Sequence, residues 1–301
     1  MAHPTAAVYQ RWLSSAPTGD VYTHGHHASV VCQHAARTAA NSAAFLLPSL
    51  RPGARLLDVG CGPGSITVGL AEHLGPAGSV VGIDSAPAVL EQAAAAVAAA
   101  GLASRVALEP TSVYELAAGH RQDSFDVAYA HQTLQHLARP VAALGEMVRA
   151  VRPGGLVAVR DADYSSMLGM CSSPTALEGI DAWRRIYRAT CYRNGAEPDA
   201  GRHLLRWARE AGLPLDALSY TASVVVYSPS DDAFRRKWGT AWAERTMESD
   251  FARQAVAYGI ATEAELQAVS AAWREWAEDD SALFSYVNGE LLVTVPRGTS
   301  G

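Results

Sequence analysis

Asp58-Val59-Gly60-Cys61-Gly62-Pro63-Gly64 is the stretch of this 301-residue chain best equipped to do chemistry. An apolar run, Arg55 to Val59, leads into it, and a helical segment from Ser65 to Leu74 comes directly after. Glycines at such a strand-to-helix turn let a ligand approach main-chain N–H groups that a Cβ would shield. The spacing departs from a dinucleotide fingerprint, because Ser65 stands where the third glycine of G-x-G-x-x-G belongs. Asp58 would repel a pyrophosphate, whereas it can orient a cationic amino-acid headgroup, directly or through water. A second carboxylate, Asp84, ends the next apolar run, Ser79 to Asp84, where two acceptor oxygens suit a pair of ribose hydroxyls. A nucleoside with a cationic amino-acid end, S-adenosylmethionine, meets both demands. The plainer alternatives are a ligand-free turn at the glycines and a helix cap at Asp84, just ahead of Pro87.

Reaction at a sulfonium methyl is an in-line displacement, so positioning and exclusion of water carry most of the catalysis. A base helps where the acceptor loses a proton. Candidates fall in three places. Tyr22, His24, His26 and His27 form a histidine-rich turn near the N-terminus, while His131, Gln132 and His136 come after an apolar run from Phe125 to Ala130. Asp161, Asp163 and Tyr164 come after another run, from Gly155 to Arg160. Strand ends face the ligand crevice of an open α/β sheet, which favours His131 and the Asp161 to Tyr164 group as the catalytic candidates, with Tyr22 beside them. For any single histidine here a structural hydrogen-bonded role is the commoner one, and Asp163 can simply cap the next segment. The clustered histidines do not make a metal site, since no carboxylate or thiol is spaced to complete one.

The elements that must hold these residues alternate. Residues 4 to 50 read as helical, with Val30, Val31, Ala35, Ala39, Ala43, Leu46 and Leu47 at helical spacing and Pro48 and Pro52 closing the run. Further strands are expected over Arg105 to Glu109, Phe125 to Ala130 and Gly155 to Arg160, with helices over Pro87 to Ala100 and Val141 to Ala150. Strands alternating with helices at this spacing mean βαβ units and a parallel sheet covered on both faces. Beyond Arg160 the spacing predicts helices near 175–192, 200–211, 231–248 and 262–278. The β-rich segments 217–227 and 284–295 read as the last strands of the same sheet, with the helices folding back over its edge.

Composition narrows the function classes. Hydrophobic residues make up 49% and charged residues 18%, enough for a core and too apolar for disorder. A net charge of −6 without a basic cluster argues against phosphate-tracking nucleic-acid binding. Four separated cysteines without a CxxC pair exclude a disulfide scaffold. No basic region leading into an apolar run marks a signal peptide, and the longest apolar stretch, Ala93 to Leu102, is half of what a membrane crossing needs. A cytoplasmic protein is the expectation. Six of the seven tryptophans (Trp183, Trp207, Trp238, Trp242, Trp273 and Trp276) lie after the fifth strand. Ordinary helix packing accounts for most of them, yet such a region also suits a flat, apolar or aromatic ligand.

DVGCGPG, VVGIDSAPAVL, FDVAYAHQTLQHL and VRPGGLVAVRDADY resemble the class I S-adenosylmethionine-dependent methyltransferases, in their ubiquinone/menaquinone-methyltransferase-like branch of actinobacterial natural-product type. YTHGHHASV, NGAEPDAGR and NGELL extend the resemblance over nearly the whole chain. It implies a doubly wound, seven-stranded, mostly parallel Rossmann-like sheet with N-terminal and C-terminal helical lids: residues 1–50 as a lid, 51–163 as the cofactor-binding core, 164–301 as the remaining strands with substrate-lid insertions. It implies that Asp58, Gly60, Cys61, Gly62 and Gly64 wrap the methionine half of the cofactor, with Asp84 and Ser85 at the ribose and Ser112-Val113 at the adenine. His131 and Gln132 would border the transferred methyl, and Tyr22 and His26 would close over it. One departure stands out: the adenine position usually carries Asp in a Gly-Asp pair, and here Thr111-Ser112-Val113 occupies it. The acceptors implied are small aromatic or apolar rings, among them carbon 3 of the indole in tryptophan-derived diketopiperazines, with quinones, phenols, sterol-like rings and amines as alternatives. Neither nucleic acid nor membrane is an expected partner, and a homodimer is compatible with the pattern. Outside the resemblance, the competing classes are a nicotinamide oxidoreductase, which Ser65 disfavours, and a non-catalytic cofactor-binding protein.

Overall fold

The computed structural model describes residues 19–25, 37–116 and 122–297. Seven strands form one sheet in the order β3-β2-β1-β4-β5-β7-β6. They are β1 (Arg55–Val59), β2 (Ser79–Asp84), β3 (Val106–Pro110), β4 (Phe125–His131), β5 (Val151–Met170), β6 (Leu218–Tyr227) and β7 (Leu283–Thr294). The first five pair in parallel, and β7 runs antiparallel to both β5 and β6. A mostly parallel sheet of seven strands is the expected architecture, and 217–227 and 284–295 are indeed its last strands. Strands β1, β2 and β4 are buried almost throughout, as befits strands covered on both faces, so they read as continuous apolar runs.

Helices flank the sheet: α1 (Ala39–Ser42), α2 (Ser65–His73), α3 (Pro87–Ala99), α4 (Pro140–Ala150), α5 (Pro174–Arg193), α6 (Ala200–Glu210), α7 (Asp232–Glu248), α8 (Asp250–Ala257) and α9 (Glu263–Glu278). Leu46, Leu70 and Val97 pack one face of the sheet; Leu144, Met147, Leu204 and Trp207 pack the other. A third core joins α5, α7, α8 and α9 to the far ends of β5 and β7 around Trp183, Trp242, Trp273 and Trp276, all at most 1% exposed. Most of the tryptophans are therefore packing residues.

Two expectations change. Strand β5 runs ten residues past Arg160, because its second half pairs with β7 alone after a register shift between Asp163 and Leu168 and carries the helical cap. Most of the expected helix over residues 4–50 lies outside the described residues, as do His26 and His27; within them only Ala39–Ser42 is α-helical. Helix α8 is an addition, begun where Ser249 leaves helical geometry.

Candidate active site

The order β3-β2-β1-β4-β5 reverses direction between β1 and β4, and the main cavity, about 220 Å³, opens there at the carboxyl ends of the strands. Its lining draws Asp58 and Val59 from β1, Ile83 and Asp84 from β2, and His131 and Gln132 from the end of β4. Gly60, Cys61, Gly62, Ser85, Ser112, Val113, Tyr22, Arg37 and His136 also line it.

The glycine turn needs all three of its glycines, for different reasons. Each has positive φ: Gly60 at 71°, Gly62 at 54° and Gly64 at 80°. A Cβ on Gly60 would lie 2.4 Å from Thr133 Oγ1, and one on Gly64 would lie 3.0 Å from the Ala93 main chain. On Gly62 it would meet nothing within 4 Å, so it would project into open space at the cavity. The Gly62 N–H donates to Asp84 Oδ2 at 3.1 Å and Ala86 N–H to Asp84 Oδ1 at 3.0 Å. Each carboxylate oxygen keeps a lone pair, so Asp84 can still accept from a ligand. Ala86 is the N-cap of α3, so Asp84 is not the helix cap.

Asp58 is buried behind the turn and accepts from Thr67 Oγ1 at 2.6 Å. Burial raises its carboxyl to about 7, with Thr67 opposing the shift and Asp84 adding to it. A buried carboxylate this costly to ionise is a ready partner for an ammonium group. The Cys61 thiol is pushed up far above its ordinary range, first by burial and then by Asp58, so it stays protonated. Ser112 also lines the cavity, its Oγ accepting from Tyr114 N–H at 3.3 Å and keeping its own proton to donate. The open Gly62, the buried Asp58 carboxyl, the remaining acceptor capacity of Asp84 and the Ser112 hydroxyl all line one cavity, a donor and acceptor set chemically compatible with the amino-acid, ribose and adenine parts of S-adenosylmethionine.

The turn after β4 is held under strain. Gln132 has φ of 49°, uncommon for a residue with a side chain. Its Oε1 accepts from Arg37 Nη2, and its Nε2 donates to Asn288 Oδ1 at 3.3 Å. His131 is 7% exposed, stacked in parallel with Tyr129. His136 packs edge-on against Tyr22 at 4.8 Å. Burial, then the Arg37 charge, lowers His136 to about 3, so its ring is neutral at physiological pH, and its Nε2 lies 3.1 Å from Gln135 Nε2. With Nε2 accepting from that amide, Nδ1 carries the proton. Burial raises the Tyr22 hydroxyl to about 12.

The segment 20–25 straps the core to the helical cap. Asp20 Oδ1 accepts from Ala138 N–H at 2.7 Å and from the Tyr114 hydroxyl at 3.2 Å. Thr23 Oγ1 accepts from Asn194 Nδ2 at 2.9 Å, and His24 Nε2 lies 2.7 Å from the Tyr187 hydroxyl.

Two candidates sit elsewhere. Asp161 lines neither this cavity nor the neighbouring chamber. It is fully buried, accepts from Gln135 N–H at 3.3 Å, and burial lifts it to about 8. It therefore positions the turn that carries His131 and His136. Asp163 is held by Arg202 at 2.7 and 2.9 Å and also lines neither space. As catalytic bases both are set aside, because a base must reach the reacting atom. Arg37, Arg245 and Asn288 are residues that sequence reasoning missed. Arg245 had a signal: it continues the helical face of Trp238 and Trp242, an arginine at a core position.

The chain is similar to known methyltransferases. Residues 50–212 match the family model described as a methyltransferase domain. An uncharacterized methyltransferase of Schizosaccharomyces pombe, C1B3.06c, is 30% identical over 92% of this chain and 98% of its own length. ltbC of Aspergillus luteorubrus, named a probable methyltransferase, is 28% identical over 90% of this chain and 96% of its own. Among solved structures, the [4+2]-cyclase SpnF superposes with a TM-score of 0.50 over 97% of this chain and 93% of its own, at 19% identity. That likeness carries the fold alone.

Proposed function

The chain belongs to the class I S-adenosylmethionine-dependent methyltransferases, and from that premise we propose that it methylates a small, ring-bearing molecule of natural-product type. Within that class the indole carbon 3 of a tryptophan-derived diketopiperazine is the first acceptor to try, ahead of quinones, phenols and amines. The observation that carries the reading is the junction at Gln132 and His136, which line both the main cavity and a chamber reached by Trp238 and Trp242. An acceptor ring there would meet aromatic side chains on one side and the cofactor site on the other.

S-adenosylmethionine supplies an electrophilic sulfonium methyl. Asp58 orients its ammonium, Gly60, Cys61 and Gly62 shape the methionine approach, and Asp84 with Ser85 accepts from the ribose; Gly64, expected beside them, does not line the cavity and instead lets the turn pack on the Ala93 backbone. Ser112 and Val113 bound the adenine, His131 and Gln132 flank the acceptor, and Tyr22 closes the cavity from the N-terminal side. Of the N-terminal part expected as a lid, the described Asp20 and Tyr22 line the cavity while residues 39–50 pack against the sheet; 164–301 then serve as the acceptor-binding part. His131 is the one group among these suited to take a proton from the acceptor, since Tyr22 stays protonated and His136 is too weak a base. No described helix is long and apolar enough to cross a membrane.

The test is formation of S-adenosylhomocysteine that depends on an added acceptor, across indoles, diketopiperazines, phenols and quinols. Turnover with nucleic acid or protein and with none of these rings would refute the proposal.

Asp58 also sets a pH dependence. A carboxyl raised to about 7 binds an ammonium only once ionised, so affinity for S-adenosylhomocysteine should climb about tenfold between pH 6 and pH 8. The same group works against the ligand-free fold: the unfolded chain ionises first, so its contribution to stability is lost as pH rises from about 4 toward 7. Calorimetric titration of the wild type and Asp58→Asn checks both, with the slope absent in the variant.

A further inference from the structure

Beyond Gln132 and His136 lies a second, smaller chamber of about 20 Å³. Its walls come from the turn after β4 (Gln135, His136), from β5 (Tyr164, Met167), from α7 (Trp238, Trp242, Arg245), and from His24, Arg37 and Tyr286. That volume holds one or two water-sized groups and no aromatic ring.

Its chemistry is one-sided. The lining contains two arginines and no Asp or Glu, and residues 1–18 and 26–36 contain no Asp or Glu either. Arg245 is 3% exposed, its guanidinium 4.4 Å from the centre of the Trp242 ring, and burial opposes its charge. Arg37 is part-buried and reaches across to Gln132 Oε1. The indole N–H groups of Trp238 and Trp242 are buried without a hydrogen-bond partner among the described residues, and so is His136 Nδ1. The His136 ring is neutral and its Nε2 faces an amide donor, so that Nδ1 is a donor as well. Three buried N–H donors without partners among the described residues, beside the buried Arg245 and the part-buried Arg37, are expensive to leave unmatched, and buried polar groups of this kind are normally matched.

We propose that the chamber between Arg37, Arg245, Trp238, Trp242 and His136 receives the carboxylate of the methyl acceptor, anchoring a ring compound whose reacting atom lies in the main cavity. A carboxylate has the right size, brings only acceptors, and takes guanidinium donors in pairs. The chamber and the main cavity share Arg37, Gln132 and His136, so one small molecule can span them. The carboxylate is the anchor and not the nucleophile. The inference deepens the methyl-transfer reading and rests on it only for the identity of the molecule; the anion site itself is read by binding.

The experiment uses the full chain saturated with S-adenosylhomocysteine. Indole-3-acetate and indole-3-acetamide share ring and shape and differ in charge, and each is titrated by calorimetry and by tryptophan fluorescence. The acid should bind about 30-fold more tightly, as expected for a buried anion paired with arginine. Arg245→Gln and Arg37→Gln should each cut that ratio about tenfold or more, with S-adenosylhomocysteine affinity unchanged in Arg245→Gln, which lies outside the main cavity. Trp238→Phe, which removes one N–H and keeps the ring, gives a milder loss and serves where an arginine variant fails to fold. Equal binding of acid and amide, or binding of neither, overturns the anchor. So does an acid preference that survives in both arginine variants, or alkali-labile label on the carboxylate oxygen after turnover with S-adenosylmethionine. Absence of turnover with firm, arginine-dependent binding of the acid refutes the methyl-transfer reading and leaves the anion site standing.

Discussion

Asp84→Ala should lower the affinity for S-adenosylhomocysteine roughly a thousandfold, about 4 kcal/mol, the worth of two charge-assisted hydrogen bonds to a ribose. Part of the loss comes from the loop, since Asp84 also holds the N–H groups of Gly62 and Ala86. Asp84→Asn separates the two contributions, because an amide keeps one acceptor for the loop while weakening the ribose contact. Gly62→Val should match the loss in binding by another route. Its Cβ meets no protein atom, so the added side chain occupies ligand space, and the strain at φ 54° costs only about 1–3 kcal/mol of stability. The melting temperature drops modestly while binding vanishes. Gly60→Val and Gly64→Val serve as controls: their side chains collide with Thr133 and with the Ala93 backbone, so those proteins should lose the fold itself. Near wild-type affinity in Asp84→Ala and Gly62→Val would remove the cofactor from this turn.

His131→Ala should lower kcat about 100- to 1,000-fold, the range for loss of a general base, while cofactor affinity stays within about threefold. His131 ends β4 at the cavity, whereas Asp161 and Asp163 line neither the cavity nor the second chamber, the Tyr22 hydroxyl holds its proton up to about 12, and His136 gives its proton up near 3. An acceptor that needs no deprotonation would show a much smaller loss. Steady-state kinetics at pH 6 and pH 8, on wild type and variant, separate the two cases.

The glycine turn, Asp84 and the β4 end were legible in the sequence because each is a local pattern: a strand, a break in helical or extended geometry, and a residue type placed at the break. The last two strands were legible from their apolar content, although the antiparallel direction of β7 rests on pairing 130 residues away, as between Arg160 and Glu290. Asp161 and Asp163 misled for the converse reason. Their place after a strand suits a catalytic carboxylate, and only the packed structure shows Gln135 and Arg202 claiming them. Arg37 and Asn288 could not have been picked out, since their importance lies in meeting Gln132 across 95 and 156 residues. Helix packing is the sequence reading for most of the tryptophans, and Trp183, Trp242, Trp273 and Trp276 are indeed core, while Trp238 and Trp242 also reach the second chamber.

One measurement bears on methyl transfer to a ring more directly than any variant: incubation with S-adenosylmethionine carrying a 13C-labelled methyl, a panel of ring acceptors including carboxylate-bearing indoles, and NMR of the product. The expected result is a single new methyl resonance on a ring atom or ring substituent of a small acceptor, formed with one equivalent of S-adenosylhomocysteine. Label found on protein or nucleic acid alone, or no label transferred to any ring compound while the cofactor binds normally, would contradict it.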